Sequence, residues 1–70
     1  MPYSSIDDLP APIRAHLPRH AQEIFRGAFN GAWSSYGDQD PAGREERAHR
    51  VAWAAVKRRY RKRGADWVAR

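Results

Sequence analysis

The chain has 70 residues, no cysteine and a formal net charge of +5. A chain this short forms at most one domain with little room for a buried substrate pocket, and without cysteine it has neither disulfides nor thiolate metal ligands. Its longest stretch without a charged residue, residues 27–37, is far shorter than a membrane span, and no signal-peptide pattern is visible. We therefore expect one domain over residues 1–70 that is soluble, cytoplasmic and not an enzyme.

The first predicted element is a short helix that begins after Asp8. Asp8 can cap it, and Pro10 and Pro12 fall in its first turn, where the missing N–H of proline does little harm. Because Pro18 disfavours helical geometry at Leu17, this helix has only about two turns. Its apolar residues are spaced for one face: Ile6, Leu9, Ile13 and Leu17.

The second predicted helix spans residues 18–36, from a proline that suits the first helical position to the residue before Gly37. Beside its apolar face, Gly27, Gly31 and Ser35 form a row of small residues. That row indicates close approach of a neighbouring element or, as the alternative, a binding groove. The apolar face keeps the helical period for about four turns: Ala21, Ile24, Phe25, Ala28, Phe29, Ala32, Trp33 and Tyr36.

The third predicted helix begins with Asp40 as its cap and Pro41 at its first position. It runs to Lys62 or Arg63, where Gly64 stops it. Its apolar face, which His49 and Trp53 widen on one side, consists of Ala48, Val51, Ala52, Ala55, Val56 and Tyr60. Packed together, the second and third helices should bury a shared core: Phe25, Phe29, Trp33, Val51, Ala52 and Ala55.

The two ends of the chain lie outside these helices. Residues 2–4 carry Tyr3 and residues 65–70 carry Trp67, and each segment is too short to stand alone. We expect them to pair as a small two-stranded sheet that joins the N- and C-termini, with Tyr3 near Trp67. The predicted fold class is all-α: a compact three-helix domain of one short and two longer helices, with that sheet.

Positive charge is concentrated in the second part of the chain. Residues 44–70 hold ten basic and three acidic side chains, whereas residues 1–43 hold three basic and five acidic ones. This asymmetry indicates an anionic partner, such as an acidic protein face, nucleic acid or anionic lipid, or else a solvated helix face. The candidate patch is a stripe along the third helix and its end: Arg47, Arg50, Lys57, Arg58, Arg61, Lys62 and Arg63.

No catalytic, cofactor-binding or metal-ligating residues are predicted. His16 and His20 are four residues apart, but Pro18 lies between them and breaks the helical register. Glu45 and His49 offer two ligands without an evident third. The serines lack a nucleophile elbow, and the glycines do not form a phosphate-binding loop.

Several of these stretches together resemble the ChaB family, small bacterial proteins named as cation transport regulators. The motifs run in order along the chain: Asp8-Leu9-Pro10, Leu17-Pro18-x-His20-Ala21-Gln22-x-Ile24, Ala28-Phe29-Asn30-x-Ala32-Trp33-x-x-Tyr36 and Arg44-Glu45-Glu46-x-Ala48-His49-x-Val51-Ala52-Trp53. The resemblance implies three helices with a small two-stranded sheet. It also implies a regulator or adaptor at the cytoplasmic face of a sodium or calcium/proton antiporter. The alternative function is a small basic nucleic-acid-binding protein.

Overall fold

The computed structural model describes residues 2–70 and arranges them as helices followed by a β-hairpin. A 3₁₀ turn at Ile6–Asp8 precedes the helices α1 (Ala11–His16), α2 (Arg19–Ser35) and α3 (Pro41–Arg59), and strands β1 (Tyr60–Arg63) and β2 (Asp66–Ala69) follow them. The predicted mostly helical fold, with one short helix, two longer helices and a small two-stranded sheet, is confirmed. Within residues 2–70, no helix has the length and apolarity that crossing a bilayer requires.

Helices α2 and α3 form an antiparallel pair around the core. Phe25 and Phe29 of α2 are fully buried, and Ala48 and Ala52 of α3 lie against this pair with no exposed surface. The small alanine side chains of α3 leave room for the phenylalanine rings of α2, so the two helices pack closely with the rings between them. The core predicted for α2 and α3 is confirmed at Phe25, Phe29 and Ala52.

Side chains cap the start of α3 and the end of α1. Asp40 accepts a hydrogen bond from the Gly43 N–H at 3.4 Å at the start of α3, where Pro41 takes the first position as predicted. At the end of α1, Gln22 Nε2 donates to the Leu17 carbonyl O at 2.8 Å. Helix α1 then packs its predicted apolar residues onto the helix pair: Leu9, Ile13 and Leu17 are all buried.

Val51 was wrongly predicted to be buried. Its side chain is 38% exposed, and Trp33 and Ala55 are only half-buried. At about 100° per residue, Val51 lies on the opposite flank of α3 from His49 and Trp53, whose rings contact the phenylalanines. The large aromatic rings therefore decided which flank of α3 turned inward.

In the part of the chain that the structure describes, no other element packs closely on the row of small residues on α2. Gly27, Gly31 and Ser35 are exposed, and a Cβ added at either glycine would meet nothing within 4 Å. The predicted close approach of another element at this row is wrong. Ser35 Oγ donates to the Gly31 carbonyl O at 3.1 Å, which occupies its hydroxyl within the helix.

The third helix ends earlier than the sequence predicts. It ends at Arg59 rather than at Lys62 or Arg63, and Gly64 begins the hairpin turn with a φ of 62°. Lysine and arginine favour helices, so local propensity points to a longer α3. Pairing of β1 with β2 overrides that propensity, and the Arg70 N–H extends the pairing by donating to the Arg59 carbonyl O at 3.0 Å.

The sheet does not join the two ends of the chain. It pairs Tyr60–Arg63 with Asp66–Ala69 in antiparallel register, with Lys62 opposite Trp67. The N-terminal segment lies elsewhere: the Tyr3 N–H donates to Asn30 Oδ1 at 2.8 Å, and Asn30 Nδ2 donates to the Tyr3 carbonyl O at 2.9 Å. One side-chain amide of α2 thus supplies the donor and acceptor that a strand would have given.

The Tyr3 ring covers the core at this end. Its centroid is 4.9 Å from that of Phe29. Burial, and secondarily the negative charge of Glu45, raises the pKa of the Tyr3 phenol above its ordinary value of 10.0. Tyr3 is therefore part of the packed structure and is not a free end.

Candidate binding site

The seven basic residues of the candidate patch are all exposed, but they do not form one stripe. Four lie on α3 and three on β1: Arg47, Arg50, Lys57 and Arg58, then Arg61, Lys62 and Arg63. Successive residues of a strand point to opposite faces, so the β1 cations divide between the two faces of the hairpin. Because α3 ends at Arg59, the residues Arg61, Lys62 and Arg63 lie on a strand and do not continue the helix as predicted. That the seven cations form a site for an anionic partner stays a prediction.

Two cations near the middle of α3 have intramolecular neighbours. Arg50 Nη2 lies 2.7 Å from Glu46 Oε1, one turn earlier on the helix. The Arg47 guanidinium lies 5.7 Å from the centroid of the Tyr36 ring. Exposed contacts of this kind contribute only about 0.2–1 kcal/mol, so a partner of opposite charge can compete for both arginines.

Arg44, by contrast, has a structural role. Its Nε donates to the Trp33 carbonyl O at 2.7 Å, and its guanidinium lies 4.2 Å from the centroid of the Trp33 ring. A cation at the C-terminal end of α2 compensates the partial negative charge of the unpaired carbonyl groups there. Lys57, one turn after Trp53 on α3, is not among the cation–ring pairs of residues 2–70.

An open cleft of about 550 Å³ lies between α1, α3 and the hairpin. It is lined by Ile13 and His16 of α1, Trp53 and Lys57 of α3, and Lys62 and Trp67 of the hairpin. Among residues 2–70, no aspartate or glutamate lines the cleft. The cleft thus combines apolar surface with positive charge, and two of the seven predicted patch residues flank it.

The two tryptophans of the cleft are in contact. The ring centroids of Trp53 and Trp67 are 5.4 Å apart, and the edge of the Trp53 ring packs on Phe25 at 5.3 Å. Both indoles are only half-buried. Trp53 is positioned by Phe25, Trp67 is positioned by Trp53, and both line the cleft. Trp53 also lines a neighbouring depression of about 430 Å³, together with Glu46 and Arg50.

A more polar depression of about 340 Å³ lies on another side of the hairpin. Arg58 and Arg59 line it beside His20, whose Nδ1 is 3.0 Å from Tyr60 Oη. Arg70 is also present, but its Nε donates to the Tyr60 carbonyl O at 3.3 Å. This surface carries positive charge without a half-buried tryptophan, so it differs in chemistry from the cleft.

The histidines do not assemble a metal site within residues 2–70, where no three His, Cys, Asp or Glu side chains converge. The His49 ring makes edge-to-face contacts with the rings of Phe25 and Phe29, at centroid distances of 5.7 and 5.3 Å. His49 therefore packs against the phenylalanines of the core. His16 lines the cleft.

The sequence did not predict that Trp67 and His16 belong to one site with Lys57 and Lys62. A signal for the hairpin was present: Gly64 and one further residue separate two runs of four residues. Two-residue loops with glycine first are typical of β-hairpins. The contribution of α1 had no comparable signal, because only tertiary packing brings that helix to the hairpin.

A family model described as ChaB matches residues 9–70. This chain belongs to the ChaB family. A protein of Escherichia coli strain K12 named "Putative cation transport regulator ChaB" is 51% identical over 70 residues, which covers 94% of this chain and 92% of that protein. A protein of the same name from Shigella flexneri has the same identity and coverage.

The fold agrees with that of a ChaB protein solved by solution NMR. The two structures superpose with a TM-score of 0.90 at 47% sequence identity, and the match covers 99% of both chains. The family that the sequence motifs indicated is thereby confirmed, together with its three helices and small sheet. The relatives' names connect the ChaB fold with regulation of cation transport.

Proposed function

We propose that this chain is a small non-catalytic adaptor that binds the cytoplasmic face of a sodium or calcium/proton antiporter and regulates it. The names of its relatives supply the transport context. The observation that carries the proposal is the location of the positive charge. No charged side chain among residues 2–70 is buried, and all seven cations of the candidate patch are exposed.

Exposed charge of one sign supports an adaptor role because it steers a partner of opposite sign and accelerates association. The fold itself uses little of this charge: Arg44 and Arg70 cap helix ends, and Arg50 has an exposed partner in Glu46. The other cations of α3 and β1 remain available to an acidic surface. A non-catalytic mode of action accords with the relatives' names, which describe a regulator.

The direct test is binding to an antiporter from the same cell, purified in detergent and immobilised. We expect association that slows with salt and slows further when Arg47, Arg50 and Arg58 are all changed to Glu. Arg19→Glu is a control for added acidic charge, since Arg19 is an exposed arginine of α2 away from the patch. Antiporter activity in reconstituted vesicles, with and without the protein, then tests regulation. Absence of binding at low salt would overturn the proposal.

Nucleic-acid binding is the second candidate function, and the observation that favours it is the excess of basic residues in 44–70. Each phosphate contact on duplex DNA contributes about −0.9 to the slope of log affinity against log salt. For an adaptor we expect only weak binding to duplex DNA at about 150 mM salt. Sub-micromolar affinity that disappears in the Arg47, Arg50 and Arg58 reversal would make nucleic-acid binding the better assignment.

A further inference from the structure

We infer that the cleft between α1, α3 and the hairpin binds an acidic peptide segment, with an apolar side chain of the segment on Trp53 and Trp67 and its carboxylates on Lys57 and Lys62. This inference rests on the proposed function in that it names the part of the partner that would be recognised. It concerns one site, whereas the proposed function concerns the whole basic surface.

Each tryptophan of the cleft has its own lysine, and the backbone fixes both pairs. Lys57 follows Trp53 by four residues on α3, so the two side chains lie on the same side of the helix. Lys62 stands directly opposite Trp67 across the two strands, so these two side chains project from the same face of the hairpin. The cleft therefore presents two indoles with one ammonium group beside each.

The indoles suit an apolar side chain. Their ring centroids are 5.4 Å apart and Trp53 packs against Phe25, yet both indoles remain partly exposed. A rigid, partly exposed aromatic pair provides large contact area at little cost in side-chain entropy, which is typical of the anchoring pocket of an interface. The cleft volume of about 550 Å³ lies within the usual range of ligand-binding pockets.

The charge of the cleft selects for carboxylates. Within residues 2–70, neither Lys57 nor Lys62 forms an ion pair, and no acidic side chain lines the cleft. Asp66 is next to Trp67 in sequence, but alternation along β2 places it on the opposite face, across from Arg63. Glu46 lines a neighbouring depression that Trp53 and Lys57 also line, but its Oε1 lies 2.7 Å from Arg50 Nη2. Among residues 2–70 the cleft thus has no acidic lining residue of its own, and a segment with acidic residues on both sides of an apolar one would supply the counter-ions.

A peptide fits these observations better than a membrane or a nucleic acid. The tryptophans line a recess instead of projecting from the surface, so they are poorly placed to enter a bilayer. Two lysines also neutralise few phosphates, and the arginines suited to that task lie on other surfaces. Two lysines beside an apolar aromatic surface instead match a short acidic peptide segment that carries one large apolar side chain.

The test uses the full chain labelled with ¹⁵N and a synthetic peptide in which one phenylalanine is flanked on both sides by glutamates. Two matched peptides replace the phenylalanine with alanine or the glutamates with glutamines. We expect the acidic peptide to shift the indole N–H signals of Trp53 and Trp67 but not that of Trp33. Each matched peptide should bind about tenfold more weakly, since either the apolar or the charged contact is lost.

The decisive variant is Lys57→Glu with Lys62→Glu. Its control is Arg58→Glu with Arg61→Glu, which makes the same change in charge at the neighbouring helix and strand positions, outside the cleft. All four side chains are exposed, and the dispersion of the NMR spectrum verifies that both variants fold. We expect the first variant to lose at least about tenfold in peptide affinity and the control to stay within about threefold.

Several results would overturn the inference: no peptide binding, equal losses in both variants, or shifts confined to the Arg58 and Arg59 surface. Tighter binding of anionic phosphatidylglycerol vesicles or of a single-stranded oligonucleotide at the same indoles would also overturn it. The antiporter assay with the lysine variant separates the two proposals. If the protein binds the antiporter but not the peptide, only the proposed peptide site in the cleft is contradicted. If it binds the peptide but not the antiporter, only the proposal that the partner is an antiporter is contradicted.

Discussion

The two ends of the chain each bring an aromatic ring to the helix pair, but by different means. Tyr3, at the N-terminal end, is held by Asn30 of α2 and packs on Phe29, which is fully buried. Trp67, at the C-terminal end, is held by its own hairpin and packs on Trp53, which stays half-exposed.

Similar aromatic contacts thus have different results at the two ends: one completes the core, and the other leaves aromatic surface exposed to a partner. The N-terminal segment is tied directly to α2, so its ring closes the core. The hairpin continues directly from α3, where Arg70 Nε donates to the Lys57 carbonyl O at 2.8 Å, and its Tyr60 Oη lies 3.0 Å from His20 Nδ1 of α2. It therefore stands beside the helices and leaves a cleft against α1. The first end serves stability, and the second end provides the candidate binding surface.

The largest effect should come from the ring on which the N-terminal end closes. Phe29→Ala removes a fully buried ring that contacts Tyr3, Phe25 and His49. We expect the free energy of unfolding to fall by about 3–5 kcal/mol, measured by urea denaturation. Val51→Ala is the control on the exposed flank of α3, where the loss should stay below about 1 kcal/mol. Equal losses in the two variants would mean that Phe29 is not central to the core.

The attachment of the N-terminal end should be the next most sensitive feature. Asn30→Ala removes the side-chain acceptor of the part-buried Tyr3 N–H, and it leaves the Tyr3 carbonyl with only the longer hydrogen bond from Arg26 Nη1 at 3.4 Å. We expect a loss of about 1–3 kcal/mol in thermal or chemical unfolding. Because alanine is the better helix former, the measured value underestimates the cost of the lost bonds. Ser34→Ala, at an exposed position of the same helix, is the control. An unchanged Tyr3 amide signal in Asn30→Ala would contradict this attachment.

A smaller effect is expected at the turn of the C-terminal hairpin. Gly64 has a φ of 62° and nothing within 4 Å of an added Cβ, so substitution there is penalised by backbone conformation and not by a clash. Gly64→Ala should cost about 1 kcal/mol, and Gly64→Asn should cost less because asparagine tolerates this region. Calorimetry measures both variants. If the N-terminal end is independent of the hairpin, the NMR signals of Tyr3 and Asn30 should not move.

The smallest effect is a dependence of stability on pH at the N-terminal end. The pKa of the Tyr3 phenol is raised in the folded chain, chiefly by burial and further by Glu45. Above the ordinary value of 10.0, the unfolded chain loses this proton more readily than the folded chain, so stability falls as the pH rises through the folded pKa. Tyr3→Phe keeps the ring and the backbone hydrogen bonds but removes the titration. We expect the variant to lose less stability than the parent between neutral pH and pH values above 10.0, and parallel curves would refute this role of Tyr3.

Much of the helical architecture could be predicted from local sequence. The period of apolar residues placed α2 within residues 18–36, and the structure has it at Arg19–Ser35. Asp40 and Pro41 marked the start of α3 correctly. These signals are local because capping, proline geometry and helical spacing act within one or two turns of the chain.

The cleft could be predicted only in part. Lys57 and Lys62 were included in the candidate patch, but the sequence grouped them with arginines that lie on other surfaces. A helical projection carried beyond Arg59 assigned β1 residues to a helix face that does not exist. Joining Lys62 to Trp67, and both to His16, required knowledge of strand pairing and of the packing of α1.

The sequence by itself determined the family, the three helices and the strong positive charge of the C-terminal part, because each depends on residue identity or on contacts between near neighbours in the chain. Only the tertiary structure decided where α3 ends, what holds Tyr3, and which cations share a site with tryptophan. Arginine and lysine after Arg59 are good helix formers, so nothing local ends the helix there. Strand pairing across Gly64 and the reach of Arg70 back to the last helical carbonyls outweigh that propensity, and both depend on residues that meet only when the chain folds.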